Sequence, residues 1–257
     1  MLHLFPSRTI ALELFGFSVH WYGVMYLLAF LLAWHLLPRL QRQRGLHLSE
    51  DEWSSILAWT VLGVIAGGRL GFVLFYEPAY FLQHPLDVFA VWHGGMSSHG
   101  GLIGVVLALM VALRHRRDQW LKIADIVVIP AALGLMLGRI GNFINQELYG
   151  TVTSLPWGIA VPGEVGLRHP TQIYAALKDL FIAGACYWHL TKVKPVRPGR
   201  TFALFLLLYA VLRFLLEYLR AQDYAFIDFG LFQLSIGQFL TIPVFAAGIA
   251  LWRWTEK

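Results

Sequence analysis

The chain has 257 residues, of which 58% are hydrophobic and only 14% are Asp, Glu, Lys or Arg, whereas an ordinary soluble domain carries about 25% charged residues. Its long runs with few or no charges match the roughly 20 residues that cross a bilayer, which argues against a soluble domain and predicts an integral membrane protein. In a membrane protein a net charge of +5 usually reflects basic cytoplasmic loops rather than a nucleic-acid partner, so nucleic-acid binding is not predicted. The single cysteine, Cys186, excludes an internal disulfide and a CxxC metal site, and we expect it to be a small buried hydrophobe.

Seven apolar runs are predicted to be transmembrane helices, so the expected fold is all-α, with one integral membrane domain over residues 1–257. No basic region precedes the first run and no A-x-A site follows it, so we expect this run to be retained rather than cleaved as a signal peptide. The runs lie near residues 20–38, 54–76, 97–113, 124–144, 173–190, 202–220 and 231–252.

Basic residues predict the orientation of these helices, because Lys and Arg accumulate in cytoplasmic loops. They cluster after the first, third and fifth runs and at the C-terminal end, so we expect an outer N-terminus and a cytoplasmic C-terminus. The longest outer segment, 145–172, is rich in Gly and Pro and should form an ordered, irregular cap. The basic clusters are Arg39, Arg42 and Arg44; Arg114, Arg116, Arg117 and Lys122; Lys192, Lys194, Arg197 and Arg200; and Arg253 and Lys257.

Glycines recur at four-residue spacing in three of the runs. Such ridges let helix backbones approach closely, so they predict a compact bundle and carry no chemistry by themselves. They are Gly63, Gly67 and Gly71 in the second run, Gly100 and Gly104 in the third, and Gly134 and Gly138 in the fourth.

Arginines inside the apolar runs are the strongest indication of function, because each costs about 2.5–3.5 kcal/mol or more at the middle of the bilayer. There are three, Arg69, Arg139 and Arg213. Tyr209, Arg213 and Glu217 recur at i, i+4 on one helix face, which places a cation between a phenol and an acid. The simpler alternatives are snorkelling to the interface, above all for Arg69, and a purely structural ion pair of Arg213 with Glu217.

The sequence GRIGNFINQELYG, residues 138–150, ends the fourth run in a polar patch. We expect Arg139, Asn142 and Gln146 to share one helix face, and the glycines of the segment to relax the backbone. So many polar residues directly after an apolar run indicate a functional patch in the outer half of the bilayer.

Two further residues are candidates with simpler alternatives. His99 opens the third run in a glycine-rich segment and could accept a proton near neutral pH, although a lone histidine can equally be structural. Tyr22, beside Trp21 and one turn before Tyr26, could belong only to the aromatic belt at the interface. No HExxH, G-x-S-x-G, Walker or G-x-G-x-x-G motif stands in a suitable context, so metal and nucleotide chemistry are not predicted.

Two membrane-embedded arginines at similar depth, with Asn, Gln and Tyr donors, favour an anionic headgroup, because a guanidinium fork matches phosphate oxygens. A phospholipid is the natural ligand, since its head lies at this depth and its tails can stay in the bilayer.

The same residues carry a family resemblance. The segment 138–150 resembles the signature of bacterial prolipoprotein diacylglyceryl transferases, and five other blocks are similar to that family's motifs in the same order, covering most of the chain. Ala175 departs from the family pattern, since family members often carry Glu directly after the block that reads HPTQIY here. The blocks are HWYGVMY at 20–26, GRLGFVLFY at 68–76, HGGLIG at 99–104, HPTQIY at 169–174 and LRFLLEYLR at 212–220.

The resemblance implies a reaction in the bacterial inner membrane, the first step of lipoprotein maturation, without metal or cofactor. The diacylglyceryl group of phosphatidylglycerol passes to the thiol of the lipobox cysteine of a preprolipoprotein, which gives a thioether and releases glycerol 1-phosphate. The family's functional positions fall on Tyr22, His99, Arg139, Asn142, Glu147, Gly150, Tyr209, Arg213 and Glu217, with Arg69 as a further candidate.

A mechanism follows as a hypothesis. The substrate thiol must lose its proton to become a nucleophile, and His99 is the candidate base, with Tyr209 as the alternative. Arg139 and Arg213 would stabilise charge on the departing glycerol phosphate.

Five further residues are expected to position these groups. Tyr22, Asn142 and Arg69 would hold the headgroup, while Glu147 and Glu217 would orient the arginines rather than act as bases, because a carboxylate beside Arg has a lowered pKa.

Three other classes of protein compete with this hypothesis. A retinal protein needs a Schiff-base lysine in the last span, and none occurs between residues 231 and 252. A transporter also carries intramembrane Arg and Glu, but the chain shows no repeated halves and its polar residues gather at the outer level. A lipid-binding scaffold would bind phospholipid without forming a product.

Overall fold

The computed structural model describes residues 9–14, 17–91, 95–195, 197–221, 227–228 and 233–256, and this part of the chain is mostly helical. Three two-stranded antiparallel ribbons, which the all-α prediction lacks, form where the backbone leaves the helices and must pair its N–H and C=O groups. The helices are α1 (Trp21–Leu40), α2 (Glu50–Phe75), α3 (Pro78–Gln83), α4 (Ser98–Ala112), α5 (Trp120–Asn145), α6 (Thr171–Lys192), α7 (Arg200–Glu217) and α8 (Ile236–Trp254). The ribbons pair β1 (Ile10–Leu14) with β2 (Phe17–His20), β3 (Ile159–Ala160) with β4 (Leu167–Arg168), and β5 (Ile227–Asp228) with β6 (Gln233–Leu234).

The seven long helices of the described chain coincide with the seven predicted runs, while the short α3 was not predicted. Three helical stretches, Trp21–Arg44, Glu50–Phe75 and Arg117–Asn145, are long and apolar enough to cross a membrane, and Ile103–Ala112 is a shorter apolar stretch. The protein is therefore a helical membrane protein, whereas seven crossings and their orientation stay predictions.

Helix starts follow capping chemistry that the sequence supplies. Ser49 accepts a hydrogen bond from the Glu52 backbone N–H (3.2 Å), and its own N–H donates to the Glu52 carboxylate (2.9 Å). Ser235 and Gln238 form the same reciprocal box at the start of α8. Each box satisfies two donors that a helix N-terminus otherwise leaves unpaired.

The chain divides into two compact units, each described here by itself. The smaller unit is His47–Trp120 and contains α2, α3 and α4, and the larger unit joins Met1–Leu46 to Leu121–Lys257 and contains the remaining helices. Whether they form one domain in the bilayer stays a prediction.

In the smaller unit, the glycine ridges of α2 and α4 face each other, which gives the close backbone approach that such ridges predict without naming the partner helix. A Cβ atom on Gly67 would lie 2.4 Å from the Gly100 carbonyl oxygen, and one on Gly104 would lie 2.1 Å from the Gly63 carbonyl oxygen. Contacts under 3.0 Å with backbone atoms leave no room for a methyl group, so only glycine permits this helix pair.

The ridge predicted in α5 does not pack in this way. A Cβ on Gly134 would meet only the Ala29 Cβ, at an ordinary 3.4 Å, and one on Gly138 would meet nothing within 4 Å. The small residues of α5 therefore face side chains or open space rather than a helix backbone.

In the larger unit, a buried ion pair fixes the end of the bundle opposite the cap. Arg44, after α1, donates to the carboxylate of Asp125 in α5, which is fully buried. Asp125 also accepts hydrogen bonds from the backbone N–H groups of Gly199 and Phe202, both at 2.8 Å. The carboxylate thereby joins three helices, with its lone pairs satisfied as a buried charge requires. Cys186 is fully buried in α6, as predicted.

The predicted cap is present, and it is ordered by backbone pairing and polar contacts. Glu164 accepts hydrogen bonds from Tyr149 and Arg168, both at 2.5 Å. Isolated bridges link Gly150 to Arg220 and Val152 to Arg168. The cap thus connects the end of α5 to the start of α6 and the end of α7, where the candidate site lies.

Candidate lipid-phosphate site

A hydrogen-bonded chain of polar side chains lies at the end of α5. The Tyr22 hydroxyl donates to the Glu147 carboxylate and accepts from the Asn142 amide. The Asn142 side-chain oxygen in turn accepts a hydrogen bond from Arg139 at 3.3 Å, and Asn142 is only 8% exposed. A Cβ on Gly141 would lie 3.2 Å from the Tyr22 ring, so the glycine lets the aromatic ring pack against α5. The structure thus brings together four of the predicted site residues.

The prediction that Gln146 continues the helix face of Arg139 and Asn142 is wrong. The helix ends at Asn145, and Gln146 takes a left-handed conformation with φ 59°. The Gln146 N–H donates to the Phe143 carbonyl (3.1 Å) and the Glu147 N–H to the Asn142 carbonyl (2.9 Å). This pattern is a Schellman turn, with glutamine where glycine is usual.

That turn explains why Glu147, rather than Gln146, faces the polar chain. Leu148 is also left-handed, at φ 57°, and each such residue other than glycine costs about 1–3 kcal/mol of strain that the surroundings must offset. Glu147 was expected to orient an arginine, but within the described residues it forms no ion pair and is held by Tyr22 and, at 3.4 Å, by Asn145. It acts on Arg139 only through Tyr22 and Asn142.

Gly150 and the start of α6 hold this turn in place. A Cβ on Gly150 would lie 2.5 Å from the Leu219 carbonyl oxygen, so glycine is required here for close packing. We expected Gly150 to relax the backbone, but it is not among the residues with a positive φ. Thr171 donates to the Leu148 carbonyl (2.8 Å) and Gln172 to the Glu147 carbonyl (2.6 Å). Neither Thr171 nor Gln172 was singled out from the sequence, although both lie in the HPTQIY block.

On α7, the predicted pairing of Arg213 with Glu217 is present. Arg213 donates to one carboxylate oxygen, and Arg220 lies 3.8 Å from the other. Ser235, at the start of α8, donates to the same carboxylate at 3.2 Å. A Cβ on Gly237 would lie 2.4 Å from Glu217. Glu217 therefore contacts Arg213, as expected, and Arg220 in addition, and it is buried against α8.

The two predicted arginines of the larger unit line one cleft between α5, α6 and α7, which we call the cationic cleft. It carries four cationic side chains against two carboxylates, those of Glu217 and Asp179, so its charge favours an anion. Within the described residues, Arg139 forms a single hydrogen bond and no ion pair. The cleft is lined by Arg139, Leu148, Thr171, Gln172, Ala175, Lys178, Arg213, Leu216 and Arg220.

Lys178 is a further residue of this cleft that the sequence analysis missed. Its side chain is 8% exposed and pairs with Asp179, whose side chain is 1% exposed. Tyr209 lies beneath it, with the Lys178 ammonium 4.5 Å from the ring centroid, and in the described structure the Tyr209 hydroxyl has no hydrogen bond. The cost argument that identified the arginines applies equally to a lysine and an aspartate inside an apolar run and would have found this pair.

Beside the cleft, a second and apolar depression runs along α7, which we call the leucine groove. It is lined by Leu212, Leu215, Leu216 and Leu219 together with Lys178. The spacing of the leucines, i, i+3, i+4 and i+7, places them on one helix face. Lys178 and Leu216 line both depressions, so the groove opens directly from the cleft.

Arg69 belongs to the smaller unit, where it is 5% exposed. It donates to the backbone carbonyls of Val88 (3.0 Å), Gly95 (3.2 Å) and Asp87 (2.5 Å), and its guanidinium lies 5.1 Å from the Phe81 ring centroid. These contacts hold the described residues on both sides of positions 92–94, and a contact of Arg69 with substrate stays a prediction.

His99 lies in the first turn of α4, but its side chain falls outside the described residues, so its role stays a prediction. Among the described residues, no three His, Cys, Asp or Glu side chains are grouped as metal ligands.

The chain is similar to known proteins along nearly its whole length. The family model of prolipoprotein diacylglyceryl transferases matches residues 9–254. A phosphatidylglycerol–prolipoprotein diacylglyceryl transferase of Bordetella avium is 40% identical over 100% of this chain and 98% of its own length. Proteins of the same name from Methylibium petroleiphilum and Geobacter sulfurreducens are 42% and 44% identical, over 96% and 90% of this chain and 96% and 88% of their own lengths. The chain therefore belongs to the prolipoprotein diacylglyceryl transferase family.

Proposed function

We propose that this protein transfers the diacylglyceryl group of phosphatidylglycerol to the thiol of a lipobox cysteine in a preprolipoprotein. The reaction forms a thioether, releases glycerol 1-phosphate, and is the first step of lipoprotein maturation. The observation that carries the proposal is the cationic cleft, in which Arg139 and Arg213 lie beside an apolar groove inside a membrane protein of this family.

Arg139 is the group best suited to bind the lipid phosphate. Its single hydrogen bond to Asn142 leaves most of the guanidinium N–H groups available, and a guanidinium can donate two parallel bonds to phosphate oxygens. The chain from Asn142 through Tyr22 to Glu147 holds it in orientation. Arg213, turned by Glu217, supplies the second cation.

The bond changes require one proton acceptor and one site of charge stabilisation. The substrate thiol loses its proton, with His99 as the proposed base and Tyr209 as the alternative, because the thiolate is the nucleophilic form. The sulfur then bonds to the carbon of the diacylglycerol moiety that bears the phosphate. The bond between this carbon and the phosphate oxygen breaks, and its electron pair leaves with glycerol 1-phosphate. Arg139 and Arg213 stabilise that charge.

We also propose that all seven long helices cross the bacterial inner membrane, with an outer N-terminus and a cytoplasmic C-terminus. The alternation of basic loops supports this orientation, and with this orientation the cationic cleft, which lies next to the cap, would open on the outer side. A secreted lipobox cysteine would reach it there.

The experiment that tests the proposal is reconstitution of the purified protein with phosphatidylglycerol and a lipobox peptide, followed by mass spectrometry. We expect a diacylglyceryl adduct on the peptide cysteine that disappears when phosphatidylcholine replaces phosphatidylglycerol or when serine replaces the cysteine. A folded, lipid-binding protein that forms no adduct would contradict the proposal, and lipid or peptide flux without a covalent product would favour a transporter.

A further inference from the structure

Lys178 occupies a position that stability does not explain. It lies inside α6 with its side chain 8% exposed, paired with an almost fully buried Asp179. Desolvation of two charges offsets much of their attraction, and apolar residues of similar size in place of a buried pair are often as stable or more so. A lysine here therefore indicates a use for the ammonium group.

The contacts of Lys178 leave part of that group available. An ammonium has three N–H donors, and in the described structure one is taken by Asp179. The Tyr209 ring, 4.5 Å from the ammonium nitrogen, holds the cation by its π-face and uses no N–H bond.

The position of Lys178 matches one particular part of a phospholipid. It lines both the cationic cleft, with Arg139 and Arg213, and the leucine groove. A lipid with its phosphate in the cleft and an acyl chain in the groove would place its glycerol and ester oxygens at the opening between the two, where Lys178 lies.

We propose that Lys178 is a third cationic ligand of the lipid substrate, binding an oxygen of the glycerophosphate moiety where it joins the acyl chains, with one chain along the leucine groove. Asp179 and Tyr209 position the ammonium. The inference rests on the proposed function and adds to it a residue that selects an anionic glycerophospholipid.

The test is the dependence of turnover on the mole fraction of phosphatidylglycerol in mixed micelles with phosphatidylcholine. The variant Lys178→Met/Asp179→Leu removes the cation without leaving a buried carboxylate unpaired. We expect its apparent KM for phosphatidylglycerol to rise about tenfold or more, a change of about 1.4 kcal/mol, with kcat within about threefold. Lys178→Arg should stay within about threefold of the wild-type KM, since it restores a cation.

Two further variants keep the test sharp. Lys178→Gln can still donate to Asp179, so it should fold even if the double variant does not, and its KM should also rise about tenfold. Lys192→Met removes an exposed lysine at the far end of the same helix and should leave KM unchanged. A KM within twofold of wild type in both cation-free variants would overturn the proposal.

The groove is tested by filling it. Leu215, which is 56% exposed, lines the groove, whereas Val211, 43% exposed on the same helix, does not. Leu215→Trp should raise KM for long-chain phosphatidylglycerol at least fivefold more than for a short-chain form, and Val211→Trp should not. Equal effects of the two tryptophans would contradict the placement of the acyl chain.

Failure of this inference and failure of the proposed function give different results. A wild-type protein that forms no adduct would contradict the function, whereas an active wild type with an unchanged Lys178 variant would contradict only the lipid contact. Retention of phosphatidylglycerol by the purified protein in native mass spectrometry measures the contact without turnover.

Discussion

Alanine substitution of the two cleft arginines should separate catalysis from stability. Arg139 makes one long hydrogen bond, 3.3 Å to Asn142, and no ion pair in the described structure. Arg213 is paired with Glu217, whose side chain is 3% exposed. Both substitutions should abolish a phosphate contact, but only Arg213→Ala should leave a buried carboxylate without its main partner.

The contacts set the expected magnitudes. Loss of two charge-assisted hydrogen bonds, at about 1.5–3 kcal/mol each, predicts a fall in kcat/KM of about 10²- to 10⁴-fold for either variant. Arg139→Ala should lower the free energy of unfolding by about 1 kcal/mol, because it removes only one hydrogen bond, which is long at 3.3 Å. Breaking a buried pair costs about 3–5 kcal/mol, and Arg220, 3.8 Å from the same carboxylate, should reduce the loss for Arg213→Ala to about 2–3 kcal/mol.

The assay combines adduct formation in micelles with thermal unfolding of each purified variant. Arg213→Ala/Glu217→Leu is the matched control, since it removes the unpaired carboxylate and should regain most of the lost stability while remaining inactive. Turnover of Arg139→Ala within about tenfold of wild type would refute its assignment to the phosphate. Equal stabilities of the two single variants would refute the account of the ion pair.

Two other substitutions test the packing and the polar chain. Gly104→Ala places a methyl group 2.1 Å from a backbone carbonyl oxygen of α2, whereas the methyl group of Gly101→Ala meets its nearest atom at 3.6 Å. Thermal unfolding should show Gly104→Ala destabilised by about 1–3 kcal/mol and Gly101→Ala unchanged or slightly stabilised by its higher helix propensity. Equal stabilities of the two variants would contradict the close α2–α4 contact. Tyr22→Phe removes the hydroxyl that links Asn142 to Glu147 but keeps the packing of the ring. Adduct formation should therefore fall at least tenfold. Turnover at the wild-type rate would show that this link does not position the headgroup.

The helices could be predicted from the sequence because the signal is local. An apolar run of about 20 residues identifies a helix whatever its neighbours are, and the seven runs coincide with seven long helices. The helix against which a glycine ridge packs could not be predicted in the same way. Gly63 and Gly104 look no different in sequence from Gly134 and Gly138, yet only the first pair lies in backbone contact, because the partner of a ridge is set by tertiary packing.

The candidate site was predictable where helical spacing decides it. Arg213 and Glu217 are one turn apart and meet as expected. Prediction failed at Gln146, because the helix ends one residue earlier and the left-handed turn directs Glu147 to the polar chain instead. Glutamine in that conformation has no sequence signal, since glycine is the usual residue there.

The charged residues inside α6 and α7 supply the side chains of the cleft but make the two helices less apolar than membrane helices usually are. Lys178 and Asp179, and likewise Arg213 and Glu217, lower the apolar character of the two helices that border the cleft, and neither helix is among the three that, within the described part of the chain, are long and apolar enough for a span. Each charge is offset by a partner on its own helix, so neither helix depends on a neighbour to neutralise it. Arg139 is the exception, because its helix is apolar enough to carry one arginine without a carboxylate partner. Four cationic side chains against two carboxylates leave the cleft with a net positive charge, which an anionic lipid headgroup would balance under the proposed function.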